Sequence, residues 1–161
     1  MSHWVGFVPR RGAPVRRTLA MALAAGISLD LNATCQFVMD VDDSMRFPVG
    51  ELHASAECST IELTLRHHGH LPKLSMGRNW VLVRGEDVLG IAFDGMAAGS
   101  VNDYLRPGDH RVVAHTAMIG PGEQARVEFS PRDLTPGEDY RYFCSFPGHW
   151  AVMTGRFILH P

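Results

Sequence analysis

The chain has 161 residues, 45% of them hydrophobic, which is enough apolar material for the core of one domain rather than two. Its formal charge is −2 at pH 7, from 15 basic and 17 acidic side chains, and gives no support to a nucleic-acid or heparin partner. The 16 glycines and 10 prolines are scattered, as expected where turns join many short strands.

Residues 1–33 read as a leader. Arg10, Arg11, Arg16 and Arg17 precede the apolar run from Leu19 to Ile27, and Ala33 supplies a small residue near a cut. That order of charge, apolar stretch and small residue describes a secretory signal peptide. The run is too short for a stable membrane anchor. Asp30 and Leu31 make a poor cleavage sequence, and Arg16-Arg17 resembles an incomplete twin-arginine signal. The expectation is export to a bacterial periplasm, with a mature domain at 34–161. The alternative is a misplaced start followed by a buried helix.

Downstream the pattern is that of strands. Residues 60–66 alternate strictly, with Ile61, Leu63 and Leu65 on one face, and 126–129 do the same with Val127 and Phe129. Residues 79–83, 111–116, 140–144 and 155–159 are further short β-branched or aromatic runs. Turn clusters separate them, among them Gly120-Pro-Gly122, Thr135-Pro-Gly-Glu138 and Pro147-Gly148. Residues 87–99 differ: Val88, Ala92, Met96 and Ala97 predict one short helix inserted between strands. The expected fold is all-β, an antiparallel sandwich or barrel.

The three cysteines are Cys35, Cys58 and Cys144. In an oxidising compartment two pair and one is left over. A bridge between Cys35 and Cys58 closes a loop of about two dozen residues and contributes about 3 kcal/mol in the chain-entropy account. Cys144 lies in Tyr142-Phe-Cys-Ser-Phe-Pro-Gly-His-Trp-Ala-Val-Met153, which brings Cys144, His149 and Met153 together with spacing C-x4-H-x3-M. Thiolate, imidazole and thioether suit copper in both oxidation states, because soft sulfur favours Cu(I) and imidazole supports Cu(II). The plainer alternative is a buried cysteine, an exposed histidine and a core methionine. Among these residues no Ser/His/Asp set, glycine-rich phosphate loop or catalytic carboxylate pair is identifiable, so no enzyme is expected.

The loop resembles that of the azurin-type blue-copper cupredoxins almost residue for residue. So do Leu71-Pro-Lys, Met76-Gly77-x-Asn79-Trp-Val-Leu82, Asp94-Gly-Met-Ala-Ala-Gly99 and Arg111-Val-Val-Ala-His-Thr116. The resemblance covers roughly residues 34–160 and implies a Greek-key β-sandwich holding one type 1 copper ion for one-electron transfer. It implies Cys144 as equatorial thiolate, His149 as the imidazole at the solvent edge, Met153 as axial ligand and Gly77 as a weak axial carbonyl. Asn79 then ties the two ligand loops together, and Cys35 and Cys58 fall where the family has its disulfide. Met45, Leu71, Met76, Phe146 and Trp150 are expected around the His149 edge as an apolar patch for redox proteins, or as core for Met45 and Met76. His115 matches a surface histidine.

One position departs. The family reads Met-Gly-His-Asn-Trp, where the histidine is an equatorial ligand; this chain reads Met76-Gly77-Arg78-Asn79-Trp80. Arginine has no lone pair to give and stays protonated. At about 4 Å and an effective dielectric near 20, two unit positive charges repel by about 4 kcal/mol. Three consequences are open on the sequence. Copper binds through the remaining donors, with water or one of His67, His68 and His70 completing the set. Alternatively the chain is a copper-defective relative, a binding module or thiol-based redox sensor with a Cys144 thiolate paired to the guanidinium. Third, the arginine is an isolated substitution or sequencing error. His67 matches a family histidine that packs near the site without ligating, and His68 and His70 read as solvated loop residues.

Overall fold

The structure, a computed structural model, describes residues 33–161. The expected leader, residues 1–33, lies outside the described residues but for its last.

Among the described residues eight strands form two sheets: β1 (Cys35–Val41), β2 (Glu51–Ser55), β3 (Ile61–His67), β4 (Val81–Arg84), β5 (Val112–His115), β6 (Gln124–Phe129), β7 (Tyr140–Phe143) and β8 (Thr154–His160). The first sheet has the order β1-β3-β6 and the second β2-β8-β7-β4-β5. Pairing is parallel for β1 with β3 and for β2 with β8, and antiparallel elsewhere. The anticipated alternation decides which faces meet. Ile61, Leu63 and Leu65 of β3 pack with Met39 and Val41 of β1 against Leu82, Tyr142, Phe157 and Leu159 of the other sheet. Trp80 sits between the Phe129 and Tyr142 rings at centroid distances of 6.0 and 5.9 Å. The all-β sandwich with one inserted helix is as expected, and β1 and β2 add two strands to the six read from the sequence.

The inserted helix, α2 (Val88–Ala98), follows a single turn, α1 (Lys73–Met76), that the sequence reading did not anticipate. Ile91 and Ala92 of α2 pack with Val81, Val83 and Phe143, the alternate residues of β4 and β7 whose neighbours face the core. The helix therefore lies on the outer face of the five-stranded sheet. Arg111 bonds both Asp109 and Asp94 at its rim.

The sandwich has two distinct poles. Cys35, at the start of β1, is bonded to Cys58 just before β3, with Cα atoms 5.7 Å apart. At the other pole the ends of β1, β3 and β7 meet the beginnings of β4 and β8. The segments leaving those strand ends carry Asp42, Cys144, Met153 and Arg78.

Candidate metal centre

Cys144 extends the inward alternation of Tyr140 and Tyr142 one step beyond β7, so its side chain points into the core. It is the free cysteine of the described residues and is fully buried. The chain then turns back through Pro147-Gly148, where Gly148 has φ 83°, a conformation in which a side chain is strained. Three backbone bonds close the loop: His149 N–H to Phe146 O at 2.9 Å, Met153 N–H to His149 O at 2.7 Å, and Cys144 N–H to Met153 O at 3.1 Å. They bring the His149 ring to Cys144, with Nδ1 3.5 Å from Sγ, and leave Met153 wholly buried beside them. Two donors each about 2.0–2.3 Å from a common ion lie at most about 4.3 Å apart, so this separation permits a shared metal.

The neighbouring loop is joined to this one through Asn79. Its amide donates to Ser145 Oγ at 2.7 Å, and its carbonyl oxygen accepts from Ser145 N–H at 2.8 Å. Gly77 brings its carbonyl within 3.8 Å of the Cys144 sulfur. A Cβ at Gly77 would lie 2.8 Å from Lys73 O and 2.9 Å from the Met118 side chain, so no larger residue fits without displacing its neighbours.

Arg78 does not swing away from the site. It is completely buried, pinned by reciprocal backbone bonds with Ile119. Nε and Nη2 donate to Asp42 O at 3.2 and 2.9 Å. Nη1 donates to Met76 O at 2.8 Å and Gly77 O at 3.2 Å, and lies 3.3 Å from His149 Nδ1. The guanidinium thus bonds to backbone carbonyls and to the one nitrogen that faces Cys144. Burial lowers its pKa, opposed by the electrostatic pull of Cys144, Asp43 and Asp42. Burial, with the nearby guanidinium, pushes His149 down to about 4, so the imidazole is neutral with a lone pair on offer at neutral pH. Burial pushes the Cys144 thiol up, against backbone hydrogen bonds from Asn79 and Phe146 and the charge of Arg78.

His67 and His68 are engaged elsewhere. His67 is buried, but its Nδ1 accepts from Gly69 N–H at 2.9 Å, which leaves Nε2–H to donate towards Met76 O at 3.4 Å. His68 pairs with Asp40 on the surface at 2.8 Å, and the His70 backbone is held by Asp43. Neither His67 nor His68 presents a lone pair to Cys144 in this arrangement. His115 turns to Thr116 O. His149 is only 3% exposed, more covered than an edge ligand was expected to be, with the Phe146 ring 4.6 Å away. Of the residues expected to form an apolar patch, Leu71 is 44% and Met45 38% exposed, while Phe146 and Trp150 are half-buried and Trp150 packs on Phe93 of α2. The sequence reading missed Asp42: a carbonyl acceptor is available from any residue and leaves no mark in the sequence.

The donor set is a thiol, an imidazole and a thioether, the combination that suits copper. These donors fit the ion. For the His149 lone pair to reach it, the Arg78 Nη1 contact must be given up.

Residues 33–160 match the family of copper binding proteins described as the plastocyanin/azurin family. Azurin of Achromobacter denitrificans is 45% identical over 144 residues, 89% of this chain and 97% of that protein. Azurin of Pseudomonas chlororaphis is 50% identical over 127 residues, 79% of this chain and 99% of its own. The solved azurin Az-iso2 of Methylomonas sp. strain J superposes with a TM-score of 0.76 at 38% identity, covering 79% of this chain and 98% of the other.

Proposed function

The chain belongs to the plastocyanin/azurin family of copper binding proteins, and from that premise we propose that it carries single electrons on copper between redox partners in the periplasm. The observation that carries the reading is the approach of Cys144 Sγ to His149 Nδ1, 3.5 Å, inside a closed loop that also buries Met153. Cys144, His149 and Met153 would hold the ion, with the Gly77 carbonyl as a weak fourth donor. Copper supplies the one-electron couple. The protein's own part is to fix the donors and exclude water. Asn79 and Ser145 lock the two loops together, the kind of support that holds ligands in orientation. The apolar surface at Met45, Leu71, Met76, Phe146 and Trp150 would receive redox proteins near His149, and residues 1–33 would direct export. The role is that of a carrier, not an enzyme.

The copper-free reading, a thiol sensor with a Cys144 thiolate paired to Arg78, is less well supported. Reactive sensor cysteines are exposed and have lowered pKa values, whereas Cys144 is buried and its thiol is pushed up.

Arg78 is the test position. Adding copper to the parent protein should give a weak or shifted thiolate-to-copper band in the red visible range. Arg78→His should restore a strong band and raise affinity by about a thousandfold, the equivalent of the roughly 4 kcal/mol of unit-charge repulsion relieved. Arg78→Gly removes charge without adding a donor, so added imidazole should then recover much of the band. No thiolate band in any of the three proteins, with Cys144→Ser titrating like the parent, would sink the copper reading.

A further inference from the structure

Between α2 and β5 the chain takes a corner that ordinary side chains avoid. Asp103 and Tyr104 are adjacent, both have φ 53°, and neither is glycine. A bulky residue in the left-handed region costs stability, and such outliers persist where the surrounding contacts over-determine them. Here Asp103 N–H donates to Ser100 O and Tyr104 N–H to Gly99 O, both at 3.1 Å, which fastens the corner to the turn that ends α2. Gly95 of α2 lies so close that a Cβ there would strike Tyr104 O. Leu105, the next residue, is buried with Ile91 and Ala92 of α2.

The other side of the corner reaches both loops of the candidate metal centre. Asp103 O accepts from Ser145 Oγ at 2.8 Å, and Ser145 Oγ accepts in turn from the Asn79 amide. Asp103 Oδ2 accepts from Met118 N–H at 3.0 Å, and Met118 is a side chain against which Gly77 is packed. The Tyr104 ring stands edge-on to Phe146 at 5.2 Å, and Phe146 lies 4.6 Å from the His149 ring. Tyr104 therefore backs the aromatic cover over His149.

We propose that Asp103 and Tyr104 are positioning residues: their left-handed corner braces Ser145, Phe146 and Met118, and through them holds closed the loop that carries Cys144, His149 and Met153. Glycine would take the same dihedrals without strain. It could supply neither the acceptor for Met118 nor the ring behind Phe146. The strained residues thus contribute the two contacts that a relaxed corner would lack. Through them α2, which carries none of the candidate ligands, supports the loop from outside the sheet. The proposal deepens the copper reading, because the braced loop is the one that would hold the ion, yet its first test needs no copper.

That test is native-state hydrogen exchange on the metal-free full chain. The Cys144, His149 and Met153 amides close the loop, and the β3 amides report on the body of the sandwich. Asp103→Ala removes the Met118 acceptor, and Tyr104→Asn removes the ring while tolerating left-handed backbone. Each should speed exchange of the loop amides relative to β3 by about tenfold or more, the scale of one lost buried contact. Should Tyr104→Asn fail to fold, Tyr104→Leu takes its place. Asp103→Asn keeps an oxygen acceptor and Tyr104→Phe keeps the ring, so both should exchange like the parent. Residues serving global stability alone would move loop and β3 amides together. In the two disruptive variants copper affinity should also fall, by roughly 10–100-fold. The proposal is overturned if either variant leaves the ratio of loop to β3 exchange at the parent's value, or binds copper as tightly as the parent. Absence of copper binding in the parent and all variants would overturn the copper reading, while the exchange ratios would still decide this one.

Discussion

At the disulfide pole the start of β1 is fastened to the segment before β3 by one covalent bond, and the strands between the poles bury little besides hydrocarbon. At the ligand pole the same strands end on a buried thiol, imidazole, amide and guanidinium, held by hydrogen bonds between loops. Apolar burial is forgiving of the partner's identity, so a hydrophobic pattern of about the right volume goes far towards shaping the body of the sandwich. Buried polar groups are stable only when each finds its partner, so the ligand pole depends on particular residues at particular positions. Arg78 illustrates this. A guanidinium fits the place of a ligand only because the Asp42, Met76 and Gly77 carbonyls and His149 take its donors.

Leu63→Ala is the sharpest way to strike the body alone. Leu63 is paired with Phe37 and Val127 in register and is fully buried between the sheets. The cavity should remove about 3–5 kcal/mol of stability in denaturant unfolding. If apolar packing and the ligand loops are separable, the folded variant's copper spectrum should stay that of the parent. A loss below about 1 kcal/mol would mean that the body is looser than its burial indicates.

Asn79→Ala strikes the other side. It leaves Ser145 N–H without its acceptor and breaks both ties between the loops. The stability cost should be smaller, about 1–3 kcal/mol, but copper affinity should fall by roughly 10–100-fold. An affinity unchanged in a protein that has lost stability would show that Asn79 serves folding only.

The two regions also differ in how much the sequence discloses. The strict alternation of Ile61, Leu63 and Leu65 identifies β3, and the Cys144, His149 and Met153 spacing marks out the loop proposed to hold copper, since all three side chains lie within ten residues. The reading of β1 is blurred because Val38 faces outward beside the inward Phe37 and Met39. In β2, only Leu52 and Ala54 point inward, and pairing with β8 rather than propensity makes it a strand. The substitution at Arg78 is plain in sequence, but its inward direction is not. That direction follows in large part from the Asp42 carbonyl, 36 residues away, which no side-chain pattern announces.

Met96→Leu is the smallest expected effect and sets the baseline for the other two. Met96 is the one sulfur donor of α2, whose buried residues pack on the sheet face opposite the core that contains Cys144. It is 38% exposed, and leucine is close to it in volume and as good a helix former. Stability should change by less than about 0.5 kcal/mol. Copper affinity and the thiolate band should be indistinguishable from the parent's, because the helix carries no donor to the site. Loss of the copper spectrum with the fold intact would place a ligand on the outer face of the sheet. The division between an apolar body and a single polar pole would then be wrong at its simplest point.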